Sequence, residues 1–163
     1  MIANDKTQQF LVILLVMALG FYVQELPGSN VLQKSLPELP FVLTLYFAVS
    51  SRFFFGVTSA FVVGMVQDVF IGIPTIGLHA GIYVIAAFML IMTRLRFKHL
   101  SILMQSLSIG ALVALKIVLV TLYETILYSP PAHYWVLLSI PLTMLIWPLL
   151  HLIFTFFAEK HES

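Results

Sequence analysis

From Phe53 to Thr93 the only formally charged side chain is Asp68. A stretch that long with so little charge cannot supply the polar outer face that a water-soluble helix or sheet needs. The whole chain follows suit. Of its 163 residues 61% are hydrophobic and 9% are charged, against about 45–50% and about 25% in soluble domains. This excludes a soluble enzyme, a nucleic-acid-binding module and a disordered linker, and leaves an integral membrane protein. The apolar runs are continuous, without the short alternating segments of a membrane β-barrel, so the fold class is all-α and polytopic. A spanning helix takes about 20 residues. The chain therefore has room for at most six spans with short loops, and for no aqueous domain.

The runs divide into six helices at about 10–25, 37–51, 53–71, 76–93, 100–128 and 134–157, within a single integral membrane domain, 1–163. A polar lead, Met1 to Gln9, precedes the first. Ala18-Leu19-Gly20 resembles a small-x-small cleavage site, but the single nearby Lys6 and the apolar chain that follows predict an uncleaved helix. The second span is short, with prolines near its start, where the N–H they lack has no partner within the helix. Gly72-Ile73-Pro74-Thr75 predicts a tight turn. Arg94-Leu95-Arg96-Phe97-Lys98-His99 is the basic cluster, read as a loop that sets topology or meets anionic headgroups. The fifth span, at 1.5 Å per residue, is roughly 43 Å long and must tilt or protrude. Ser129 to His133 turns the chain, and Pro141 and Pro148 are expected to kink the sixth span.

Six spans place Lys6, Arg52, Arg94, Arg96, Lys98 and Lys160 on one side and Lys34 on the other. The positive-inside rule then puts both termini in the cytoplasm. Tyr22, Tyr128, Tyr134 and Trp135 fall near the outer interface, where amphipathic aromatics settle.

Gly56, Ala60, Gly64 and Asp68 recur at four-residue spacing, one drifting stripe on a helix. Small residues allow close helix approach, and Gly77-x-x-x-Gly81 offers a matching groove on the next span. The stripe is either an internal seam between these two spans or a partner surface. Asp68, at the end of its span, is an interfacial acid or a structural polar contact. Lys116 lies deep in the fifth span, where a charge is costly. It is a buried structural contact, a partner-binding site, or an ion or substrate site, with Asp68, Glu124 or an acid of another protein as its counterpart. Glu124 is eight residues on, about 12 Å along the helix and roughly 80° around it. That disfavours a direct pair and permits a shared polar face.

His79, His133 and His151 are scattered singly, with no carboxylate at metal-ligand spacing. There is no Cys, no GxSxG, no Walker A and no dinucleotide fingerprint. No catalytic, cofactor or metal site is expected.

Laid out in this way, the chain resembles the rod shape-determining protein MreD family over nearly its whole length. The best match is Gly64-Met65-Val66-Gln67-Asp68-Val69-Phe70-Ile71-Gly72, followed by Pro74 and Gly77, which fits the family's Gly-x-x-x-Asp-x-x-x-Gly pattern and the further Gly opening the next helix. Leu145-Ile146-Trp147-Pro148 in the last span is a second match, and Glu124 falls where family members place an acid late in the fifth helix. Lys116 does not carry over. The resemblance implies a non-enzymatic, multi-pass protein of the bacterial inner membrane. Its place would be in the elongation machinery that maintains rod shape and supports lateral peptidoglycan synthesis. Its implied partners are MreC, the membrane glycosyltransferase and its transpeptidase and, directly or indirectly, actin-like MreB, with no nucleic acid and no cofactor. The family is also similar in fold to the substrate-binding components of energy-coupling-factor transporters, which gives the alternative of a vitamin-binding component. Those components often carry an Ala-x-x-x-Ala seam in the first helix. Here Phe10 to Val23 contains only Ala18.

Overall fold

The computed structural model describes residues 2–26, 36–50, 55–71, 77–128 and 134–159, with side chains from 7 to 154. Among the described residues it is all-helical: α1 (Ile2–Gln24), α2 (Leu39–Val49), α3 (Val57–Ile71), α4 (Leu78–His99), α5 (Ile102–Tyr128), a 3₁₀ turn (Tyr134–Leu138) and α6 (Ser139–Glu159). Among the described residues four stretches are long and apolar enough to cross a membrane: Thr7–Gln24, Leu78–His99, Ile102–Leu127 and Tyr134–Phe154. α2 and α3 are shorter apolar helices.

Several boundaries differ from the sequence reading, each for a local reason. α1 starts at Ile2, because Ala3 to Gln9 contains no Gly or Pro to interrupt it. α4 runs through the basic cluster to His99, so that cluster is the last turns of a helix and not a loop. Arg, Leu and Lys favour helix, and cations suit a helix C-terminus. Pro141 sits in the first turn of α6, where it costs no hydrogen bond. Pro148 alone is inside the helix.

The helices pack as two compact units: residues 1–29 with 38–99, and residues 30–37 with 100–163. In the first, α2 is the central element. Pro40, Phe41, Val42, Leu43, Thr44, Leu45, Phe47, Ala48 and Val49 are all buried, and α2 packs on α1, α3 and α4. Pro40 opens the helix, and Thr44 returns its hydroxyl to the Pro40 carbonyl at 2.7 Å. The ring of Phe41 lies 4.9 Å from that of Tyr83 on α4, and Phe21 of α1 stacks on Phe70 of α3 at 5.1 Å. The second unit pairs α5 with α6. Gln105, Ser106, Ile109, Val113 and Lys116 make the buried stripe of α5, and Ser139, Thr143 and Trp147 that of α6. Both sets recur at helical three- and four-residue spacings.

Large apolar side chains also cover the outside, among them Phe10, Leu14, Tyr22, Val69, Leu103, Ile126 and Leu145. Faces of this kind are stable against lipid and unstable in water.

Candidate functional site

The most polar constellation of the first unit lies where α3 ends and α4 begins. α3 brings Asp68 to within one turn of its C-terminus, and the chain re-enters a helix at Leu78. The carboxylate is turned inward, 1% exposed. It accepts from the backbone N–H of Gly77 at 2.9 Å, His79 at 3.0 Å and Ala80 at 3.3 Å, and lies 2.9 Å from His79 Nδ1. The first N–H groups of a helix have no partner inside it. Asp68 supplies the acceptor from the neighbouring helix, a cap given by one helix to the next, and its charge suits the positive end of α4. Gly77 makes the entry possible. Its φ is +115°, in a region L side chains rarely adopt.

The close approach is at Gly64. A β-carbon built there would collide with the Ala80 α-carbon and stand 2.8 Å from Ala80 N and 2.9 Å from the His79 carbonyl oxygen. Backbone meets backbone, and Ala60 extends the same buried face. Thus Gly64 and Asp68 meet the start of α4, with Ala60 buried one turn earlier on the same face. Gly56 lies outside α3, half-exposed, and Gly81 is exposed. Neither has an atom within 4 Å of where a β-carbon would stand. The groove expected at Gly77 and Gly81 is formed by Ala80, because Gly81 is turned about 100° away from it. Gly72 and Pro74 lie outside the described residues.

In the second unit Trp147 is 1% exposed. Its Nε1–H donates to Gln105 Oε1 at 3.3 Å, while Gln105 Nε2 donates to the Leu100 carbonyl at 3.1 Å. One amide thus ties the start of α5 to the Trp147-Pro148 segment of α6. Pro148 leaves the carbonyl four residues earlier, that of Met144, without its helical donor. The Met144 side chain lies against Gly110, where a β-carbon would come within 2.8 Å of it. Lys116 continues the buried stripe of α5 and is 4% exposed, whereas Glu124 is half-exposed. Asp68, one of the acids weighed for Lys116, is engaged by residues of its own unit.

A family model for the rod shape-determining protein MreD matches residues 4–157. The chain belongs to the MreD family. It matches no curated protein and no solved structure. Family membership and four helices fit to cross a membrane make it a rod shape-determining membrane protein. In MreD terms, the Gly64-x-x-x-Asp68 half of the pattern is the place where α3 meets and caps α4, and the Trp147-Pro148 segment is held by Gln105. His79 and Gln105 were not singled out by sequence reasoning as members of these constellations. The signal for His79 was its place at the start of the helix that follows Asp68, eleven residues on. Gln105 carried none, since its partner is 42 residues away.

Proposed function

We propose that this MreD-family protein is a non-enzymatic scaffold of the bacterial elongation machinery in the inner membrane. It holds MreC and the wall synthase, a membrane glycosyltransferase with its transpeptidase, and, directly or indirectly, actin-like MreB. The chain crosses the bilayer six times, α2 and α3 being the short crossings, with both ends in the cytoplasm. The observation that carries this reading is the family match over residues 4–157, on a chain whose helices other than α2 present large apolar side chains to the outside. On such a chain partners bind by helix packing and a few polar contacts within the membrane.

Depletion in a rod-shaped host tests it. Cells should become round, no added vitamin should restore them, and MreC should co-purify with the protein from native membranes in mild detergent. Normal shape with a nutrient requirement would establish a transporter component instead.

A further inference from the structure

We propose that the outward face of α3 thins the inner leaflet beside it and gathers there phospholipids with short acyl chains. Two packed helices ask for different bilayers. Gly64 lies on the Ala80 backbone, and α3 and α4 run antiparallel, so Val57, the first residue of α3, stands level with about Ala87. From that level α4 continues for twelve more residues, about 18 Å, to His99. Phe88, Met89, Met92 and Leu95 are exposed on this stretch and ask for hydrocarbon over about 12 Å of it. α3 asks for none there. Its exposed apolar side chains run from Ile71 back to Phe61 and stop. Thr58, next on the outward face that carries Val62 and Val69, is exposed, and Gly56 and Ser59 beside it are half-exposed. The Ala60 N–H donates to the Gly56 carbonyl at 3.1 Å, but those of Val57, Thr58 and Ser59 have no acceptor within the helix. Hydrocarbon offers them none, whereas water and headgroups do. The apolar surface of α3 therefore ends about 12 Å short of the place where that of α4 ends. Lipid beside a short face thins to match it, and short acyl chains do so at least cost. A long face exists on the same chain: exposed apolar side chains of α5 from Leu103 to Ile126 cover about 34 Å. The proposal rests on the six crossings only for naming the leaflet as the inner one.

The chain has no Cys, so single cysteines at exposed positions report depth on an otherwise unaltered protein. Full-length Thr58→Cys and Phe88→Cys variants in membrane vesicles are treated with a charged, membrane-impermeant maleimide. Phe88 lies nearer the basic end of α4 than the level of Thr58, so in a bilayer of even thickness the Phe88→Cys thiol reacts at least as fast. A thin spot at α3 reverses the order. Thr58→Cys should react from the cytoplasmic side about tenfold faster than Phe88→Cys, since the reaction needs a hydrated thiolate. A water-filled crevice in the protein would give the same contrast, and lipid preference separates the two. A fluorophore on Val62→Cys in phosphatidylcholine vesicles should be quenched about two- to threefold more by brominated short-chain lipid than by brominated long-chain lipid at equal mole fraction, within the range of mismatch energies. The same fluorophore on Val118→Cys of α5 should show no such preference. Thr58→Leu, added to Val62→Cys, lengthens the apolar face by about one turn and should roughly halve the preference. Equal reactivity of Thr58→Cys and Phe88→Cys, or equal quenching at Val62→Cys by short and long chains, would overturn the thin spot. Reaction of Thr58→Cys from the outer side alone, with the Val62→Cys preference intact, would instead overturn the inner-leaflet assignment and the proposed crossings with it.

Discussion

Asp68 caps a helix it does not belong to: its Oδ1 is 2.9 Å from His79 Nδ1 and 3.0 Å from the His79 N–H, eleven residues along the chain. Antiparallel neighbours are usually joined by apolar packing alone. Here one carboxylate also closes the open end of α4.

Removing that carboxylate should strand three backbone donors and the imidazole. Asp68→Ala is expected to cost about 3 kcal/mol or more, in the range for breaking a buried charged contact. Asp68→Asn keeps an acceptor and is as good a cap, so its loss should be smaller. Thermal unfolding in detergent measures both. An Asp68→Ala protein that melts with the wild type would show that the cap carries no stability.

Two glycines on facing helices should behave oppositely. Gly64→Ala pushes a β-carbon into the Ala80 backbone and should destabilise by about 1–3 kcal/mol. Gly64→Leu should reduce the amount of protein in the membrane. Gly81→Ala meets open space and should be neutral or slightly stabilising, since Ala is the better helix former by about 1 kcal/mol. Membrane levels and melting temperatures of the three variants check this.

Gln105→Leu leaves the buried Trp147 indole N–H without its acceptor and should cost about 1–3 kcal/mol. Adding Trp147→Phe removes the stranded donor, so the double variant should melt above the single one. If the double variant is the less stable, the hydrogen bond between them is not the source of the effect.

Glu124 is a half-exposed acid within a spanning helix, which suits a contact made to another protein. Glu124→Gln is expected to lower MreC recovery on co-purification while the melting temperature stays within about 1 °C of wild type, the shift of a surface change. Loss of stability with unchanged recovery would place Glu124 in the fold instead.

Topology is open to reporter fusions. Fusions after Val31, Pro74 and Pro131 should report the periplasm, and fusions after Lys98 and at Ser163 the cytoplasm. A periplasmic signal at Ser163 would end the six-span reading.

The helices were legible because lipid imposes long apolar runs with few exceptions, and the interruptions at Gly, Pro and Ser stand out against them. The stripe of Ala60, Gly64 and Asp68 was legible as a stripe. Its counterpart was not. GxxxG spacing pointed to Gly81, whereas rotation about the axis of α4 is set by Asp68 catching the His79 and Ala80 amides, and this turns Ala80 inward. The basic cluster looked like a loop because charge suggests one, yet no helix-breaking residue is present before Ser101. Contacts such as Gln105 with Trp147 join segments far apart in the chain, and local pattern holds no trace of them.

The enclosure of α2 bears on how the protein is made. Eleven residues of helix reach about 16 Å, roughly half the hydrocarbon thickness, and nine of those residues find their surroundings in other helices and not in lipid. As a free segment leaving the ribosome, α2 has neither the length to hold a transmembrane position nor the neighbours that α3 and α4 later provide. Its place in the fold therefore depends on α1, α3 and α4, the helices it packs against. A truncation before Leu78 would remove α4 and with it Tyr83, the ring against which Phe41 of α2 rests.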